Sequence, residues 1–441
     1  MKTKILTDKM YLSLMFPFIF STITQPLLGA VDIAVIGRLA NENYISGIAI
    51  GALIFNTLYW MFGFLRVSST GYSAQSTYKT LKENSDIFLR PVFIAIVISI
   101  IFLIFQKIIF NTSMKFIAPL DEIKDISYIY FKILINGAPF VLFNYVVLGW
   151  LMGKGDIKGS LIMQIGGNIL NIILDIVFVL IMNFGVEGVA YATLISQIFS
   201  TIVGLYFIVP YGYFKHIEIK NILNREEFVN IISLNKNLMI RTFFLLMHNN
   251  MIMAASSGLG ADILAVNSIL LQILSLLSYA FDGIANTSSV FAGRARGLKD
   301  NNLMIQVWKK NLQWGIILVF LLTTIYILIS KNIILIFTDI EKIVSLSEKY
   351  SYWIALYPIT AFLGLTYYGV FTGSNITSPI AQSTFLAFLF FSISWKFIIP
   401  EIGNNGVWLS LIIFYFCRGI FLIPQLKKTL VKENSVEDDR I

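Results

Sequence analysis

Apolar stretches of about 20 residues, each long enough to cross a bilayer as a helix, follow one another along the whole chain. Twelve are found, near 10–36, 45–76, 88–110, 126–152, 157–183, 187–210, 233–258, 263–290, 311–337, 345–373, 379–399 and 405–426. The alternating ten-residue pattern of a membrane barrel is absent. The first stretch is too long for a cleavable signal peptide and is interrupted by Pro17, Gln25 and Asp32. The pattern predicts an all-α polytopic membrane protein.

Polar breaks between the stretches carry the basic residues, and these set orientation. With both ends on the cytoplasmic side, 20 Lys and Arg fall in inner loops and ends and eight in outer ones. Both termini are therefore expected inside, in a multi-pass protein of the cytoplasmic (inner) membrane.

Composition sharpens the picture by exclusion. Hydrophobic residues make up 57% of the 441 and charged residues only 13%, about half the usual share in a soluble domain. That leaves too little polar material to cover two or three soluble domains. The net charge of +8 does not signal nucleic-acid binding, because the basic residues are scattered between apolar runs. One cysteine, Cys417, and two histidines, His216 and His248, argue against a disulfide framework and a zinc site.

The longest polar break, 211–232, falls after the sixth stretch and divides two similar halves. At an offset of about 219, Phe62 to Ala74 (FGFLRVSSTGYSA) echoes Phe281 to Gly293 (FDGIANTSSVFAG). Pro139 answers Pro358, and Gly149-xxx-Gly153 answers Gly369-xxx-Gly373. Gly185-Val-Glu-Gly188-Val189 answers Gly403-Asn-Asn-Gly406-Val407. Six spans per half make both enter the membrane in the same direction, a parallel repeat about an axis along the membrane normal. The expected units are a first lobe (1–210), a cytoplasmic linker (211–232), a second lobe (233–428) and a polar tail (429–441). Such two-lobed proteins are typically secondary transporters, and no GxxxxGK[ST] motif for direct ATP use appears.

Ionisable residues at membrane depth are costly and point to function. Asp32, Asp175 and Asp282 lie inside spans, as do Arg66, Lys132, Arg241 and Arg418. The four bases are expected to snorkel toward helix ends. Asp32 and Asp175 fall in the outer half of the first lobe, at a depth similar to that of Thr193. Gln25 is two turns before Asp32, and Asn171 one turn before Asp175, each pair on one helix face. Two carboxylates, two amides and a hydroxyl make an oxygen-rich cluster. Close carboxylates share protons, and oxygen ligands suit a hard cation such as Na⁺. A possible Na⁺ site is thus expected at Asp32, Asn171, Asp175 and Thr193.

Several motifs resemble the DinF-like branch of the MATE (multidrug and toxic compound extrusion) family. They are Asp32-Ile-Ala-Val-Ile-Gly37, Gly47-Ile-Ala-Ile-Gly51, Phe64 to Gln75, Gly167-Asn168-Ile-Leu-Asn171 through Asp175, Gly185 to Thr193, and Asp282-Gly283-Ile-Ala285. The resemblance implies twelve transmembrane helices in two six-helix bundles forming a V. It implies an antiporter that exports amphipathic, often cationic organic compounds against inward H⁺ or Na⁺. It assigns cation coupling to Gln25, Asp32, Asn171, Asp175 and Thr193, helix bending to Pro17, and a second-lobe acid to Asp282. Tyr368-Gly369 departs from the Asp-Gly many relatives carry in span ten.

The expected partners are small amphipathic substrates and the lipid bilayer, with the protein a monomer, no nucleic acid, no enzymatic role and no cofactor beyond the coupling ion. The nearest rival is a flippase for lipid-linked precursors, whose cavity would be strongly basic; Arg66 and Arg241 are the candidates for that role.

Overall fold

In a computed structural model, residues 5–36, 42–117, 121–215, 218, 221 and 224–431 are described. Within these, the side chains of 25–34, 36, 42, 43, 45, 116, 227, 228 and 230 are not. The described secondary structure is helical throughout.

The first half runs α1 (Asp8–Ile36), α2 (Glu42–Phe62), α3 (Phe64–Gln75), α4 (Leu81–Ile104), α5 (Gln106–Ile117), α6 (Asp121–Leu134), α7 (Ala138–Lys154), α8 (Ile157–Asp175) and α9 (Gly185–Ile208). The second runs α10 (Arg225–Gly258), α11 (Ala261–Gly297), α12 (Asn301–Phe337), α13 (Glu341–Tyr350), α14 (Tyr352–Gly373), α15 (Ser378–Ile402) and α16 (Asn404–Leu422). The pairs α2–α3, α6–α7 and α13–α14 each run on across a short turn, and α5 follows α4 after Phe105, so the sixteen helices compose twelve spans. Eleven of these, all but α1, form described apolar helices long enough to cross a membrane.

The third span differs from its expected start at 88, because α4 begins at Leu81. A reciprocal capping box between Thr80 and Glu83 opens it. Its polar first turns are held by the protein: Asn84 accepts from Lys154 at 2.6 Å, and Ser85 donates to the Tyr213 carbonyl. α1 runs through Pro17 without interruption from Asp8 to Ile36.

The repeat has an atomic basis. Glycine appears where one helix backbone rests on another. A methyl at Gly149 would run into the carbonyl of Arg66, and one at Gly153 into that of Thr70. In the second half, Gly369 meets the carbonyl of Ala285 and Gly373 that of Ser289. Turn geometry repeats too. Gly155 (φ +74°) and Asn375 (φ +55°) follow the fourth and tenth spans. Gly185 (φ +58°) and Gly403 (φ +56°) precede the sixth and twelfth. A left-handed φ is routine for glycine and tolerated by asparagine.

The halves meet along α1, α3, α11 and α14. Tyr11 Oη shares a 2.6 Å hydrogen bond with Ser288 Oγ, and Thr22 Oγ1 donates to the Tyr279 carbonyl at 2.8 Å. Gln75 Nε2 donates to the Gly373 carbonyl at 2.8 Å, and Arg294 Nη2 to the Lys154 carbonyl at 3.1 Å. Asp8 accepts from Lys310 Nζ at 2.7 Å and from Trp314 Nε1 at 2.9 Å. Apart from the mid-helix Thr22–Tyr279 bond, these lie toward the end of the molecule that holds the start of α1 and the ends of α3 and α11. Gly283 and Gly297 of α11 continue the seam, lying against Ile19 and Gln75.

Candidate functional site

The intramembrane residues singled out in the sequence fall, among the described residues, into two groups, one inside the first lobe and one between the lobes.

In the first lobe, α8 packs between α1 and α9. Asn171 and Asp175 are 4% and 1% exposed, whereas Ile169, Ile173 and Ile176 on the other side are open. The polar face therefore points into the bundle. Asn171 Nδ2 is buried with no hydrogen-bond partner among the described residues. An unsatisfied amide at this depth costs about 1–3 kcal/mol.

Helix register fixes relative depth. α8 and α9 run antiparallel, with Gly159 against Phe207, Gly167 against Ser200 and Phe178 against Gly188. The same register places Thr193 at a level between Asn171 and Asp175. Thr193 Oγ1 donates to the Val189 carbonyl at 3.1 Å, which leaves its lone pairs available.

α1 and α8 run parallel, with Ser21 donating to Gln164 at 2.6 Å and Asn168 to Thr24 at 3.2 Å. That step of 143 to 144 residues puts backbone position 32 level with Asp175 and position 25 level with Asn168. The side chains of Gln25 and Asp32 lie outside the described residues.

Directly after Asp175 the helix widens into a π-wound turn, Ile176–Ile181. Met182 N reaches back five residues to the Val177 carbonyl at 2.9 Å. Such turns inside α-helices are rare and concentrate at functional sites.

The second group gathers around Tyr368. Arg241 of α10 lies over its ring, 4.3 Å from the centroid. Arg66 of α3, Asn286 of α11 and Tyr368 line one small polar recess where the lobes touch. Asp282 lies within electrostatic range of Arg66, Arg241 and Arg418, and Tyr368 lies near all four. Tyr415 lies beside the guanidinium of Arg418, 5.6 Å from carbon to centroid. Arg418 is 3% exposed.

The expectation that these bases snorkel is corrected for Arg66, Arg241 and Arg418. They turn inward because aromatic rings and the open space between lobes receive them. The signal was present for Arg418: Phe414 and Tyr415 stand four and three residues before it, on the same helix face. Lys132 is exposed on α6, as expected for a snorkelling base. Asp282, expected as a second-lobe acid, joins this group rather than the first-lobe cluster.

Comparison with known proteins agrees with this architecture. The MatE family profile matches residues 17–177 and again 238–398, once in each half. DNA damage-inducible protein F of Escherichia coli (strain K12) is 30% identical over 94% of this chain and 91% of its own. A probable multidrug resistance protein NorM of Photorhabdus laumondii is 21% identical over 95% of each chain. Among solved structures, an outward-facing multidrug resistance MATE family transporter superposes with a TM-score of 0.80. It is 18% identical, over 95% of this chain and 96% of that one. The doubled profile match and the full-length relative place this multi-pass membrane protein, which is a transporter and not an enzyme, in the MatE family of multidrug efflux transporters.

Proposed function

We propose that the protein is a secondary antiporter that exports amphipathic organic compounds in exchange for an inward cation, H⁺ or Na⁺. The coupling cation binds in the first lobe at Asp32, Asn171, Asp175 and Thr193, with Gln25 at its edge. The observation that carries this reading is the burial of Asp175 at 1% exposure, at a π-wound turn and beside an amide with no partner among the described residues. A carboxylate at such depth is retained where it binds a proton or a cation. Occupancy by one cation leaves the carboxylate pair with a single negative charge, relieves their repulsion and lets α1 and α8 close up; release into the cytoplasm restores it.

Orientation follows the basic residues, with both termini inside. The lobes meet in the half holding the N-terminus, so this conformation is closed toward the cytoplasm and open outward. Alternating access then requires the seam of α1, α3, α11 and α14 to part.

Purified protein in liposomes, with pH and Na⁺ gradients imposed separately, tests the reading. Export of an amphipathic dye should follow one gradient and be lost in the Asp32→Asn, Asp175→Asn double variant. Wild-type export by that variant, with a gradient still required, would place coupling elsewhere.

A further inference from the structure

We propose that the cavity between the lobes selects cargo with an anionic head group, a phosphate or carboxylate on an apolar body, held by Arg66, Arg241 and Arg418. The inference names the substrate class for the export reading and rests on that reading for the direction of movement.

The charge balance is the first support. Arg66 lines one recess with Tyr368, Arg241 lies over the Tyr368 ring, and Arg418 is buried beside Tyr415, with Asp282 the one carboxylate among the described residues within range of all three. Asp175 is apart from this group, buried inside the first lobe. Burying unbalanced cations is expensive. The excess of positive charge fits a site completed by an anion. The expected organic-cation cargo would add a further positive charge to it.

Availability is the second. No ion pair within 4 Å and no hydrogen bond engages the guanidiniums of Arg66, Arg241 or Arg418 among the described residues. Arg241 Nε is buried with no partner among the described residues, as is the Nδ2 of neighbouring Asn286. What holds these arginines is ring faces: Tyr368 under Arg241, and Phe414 and Tyr415 beside Arg418. Stacking fixes the plane of a guanidinium and leaves its N–H edge free for a bidentate oxyanion.

The third is composition around Tyr368. A carboxylate at that position would stand next to Arg241 and cancel its charge. Tyrosine instead gives a ring face and a hydroxyl donor. The apolar part of the cargo also has space. A cavity of about 520 Å³, lined by Phe62, Phe64, Val97 and Met239, lies between the span of α2–α3, α4 and α10. The helices α3 and α10 that line it also carry Arg66 and Arg241.

Binding of two matched probes to the full-length protein in phosphatidylcholine nanodiscs tests the proposal. One is a dansyl-tagged undecyl phosphate, the other its undecyl trimethylammonium twin. The phosphate should bind at least about tenfold tighter, a difference of about 1.4 kcal/mol, and lose affinity as salt rises. Arg241→Gln and Arg66→Gln should each weaken it about tenfold, and Arg241→Lys less. Arg418→Gln is a third arm if it keeps the wild-type melting temperature. Nanodiscs doped with phosphatidic acid separate the sources. Competition by the lipid assigns the head group to a membrane lipid, and its absence to a free amphiphile. Equal or tighter binding of the ammonium probe, or phosphate binding indifferent to both Arg66 and Arg241, would overturn the proposal. Binding is read without a gradient, so it stands apart from the export assay. Loss of coupling with intact binding, or the reverse, tells which reading has failed.

Discussion

Arg241 stacks on Tyr368, its guanidinium carbon 4.3 Å from the ring centroid. A cation–π contact of this kind is worth about 0.5–2 kcal/mol according to its exposure. Tyr368→Phe keeps the ring and should leave thermal stability in detergent unchanged. Tyr368→Ala should lower stability by up to about 2 kcal/mol. Tyr368→Asp should form an ion pair with Arg241, retain the fold and cut binding of an anionic probe. Differential scanning fluorimetry and probe titration on the three variants check this order.

Within the first lobe, the variants should rank by charge. Asp175→Asn removes the charged ligand with little change in size and should abolish gradient-driven export. Asn171→Ala should come next, because Asn171 is buried at 4% exposure beside the acid. Thr193→Ala and Gln25→Ala remove neutral oxygens from a site that keeps its carboxylates, so partial export should survive. Initial export rates in liposomes establish the ranking, and an unaffected Asp175→Asn variant would contradict it.

Gly369 has no room for a side chain, since its added methyl would meet the backbone of Ala285. Gly369→Val must push α11 and α14 apart and should cost about 1–3 kcal/mol, as overpacking does. Gly258, with open space where a Cβ would go, is the control, and Gly258→Ala should be neutral or mildly stabilising. Melting curves of the two variants in one detergent make the comparison.

The contact of Asp8 with Lys310 and Trp314 latches the lobes at their closed end. The Lys310 ammonium, then the Trp314 N–H, hold the Asp8 carboxyl below the usual carboxylate range. A depressed pKa means the contribution is complete above the unfolded value near 3.8. It is lost only as pH falls through the lower folded value. The latch should therefore be insensitive to pH between about 5 and 8. Asp8→Asn should raise access from the linker side at neutral pH. Accessibility of a cysteine placed at Ser289, in a Cys417→Ala background, reads the difference.

Much of the fold was legible because the bilayer imposes a length and polar residues interrupt it. Eight of the twelve spans read from hydropathy match helices within five residues at each end; α4, α10 and α12 start 7, 8 and 10 residues earlier than expected and α11 ends 7 later, and α4 shows the reason. Lys82 through Asp86 look like loop, yet Asn84 and Ser85 find partners on α7 and at Tyr213. Such tertiary partners are invisible to a local reading. The repeat was legible because close backbone approach demands glycine, and that demand recurs at a fixed interval. Asn171 and Asp175 stood out through helical spacing alone. The arginine cluster did not, because Arg66, Arg241 and Arg418 come from three distant spans. Only the packing of α3, α10 and α16 brings them to one place.

The repeat sets Arg66 opposite Ala285 and Gly63 opposite Asp282. The scaffold is twofold; the charge is not. Symmetry-related walls of the cavity thus present a cation on one side and a methyl on the other, with the lone acid displaced in turn. A guest molecule meets a lopsided field and has one pose of lowest energy instead of two equal ones. Rotating it half a turn about the pseudo-axis does not restore the fit. Duplication built the vessel, and divergence at a few positions gave it a handedness toward its contents.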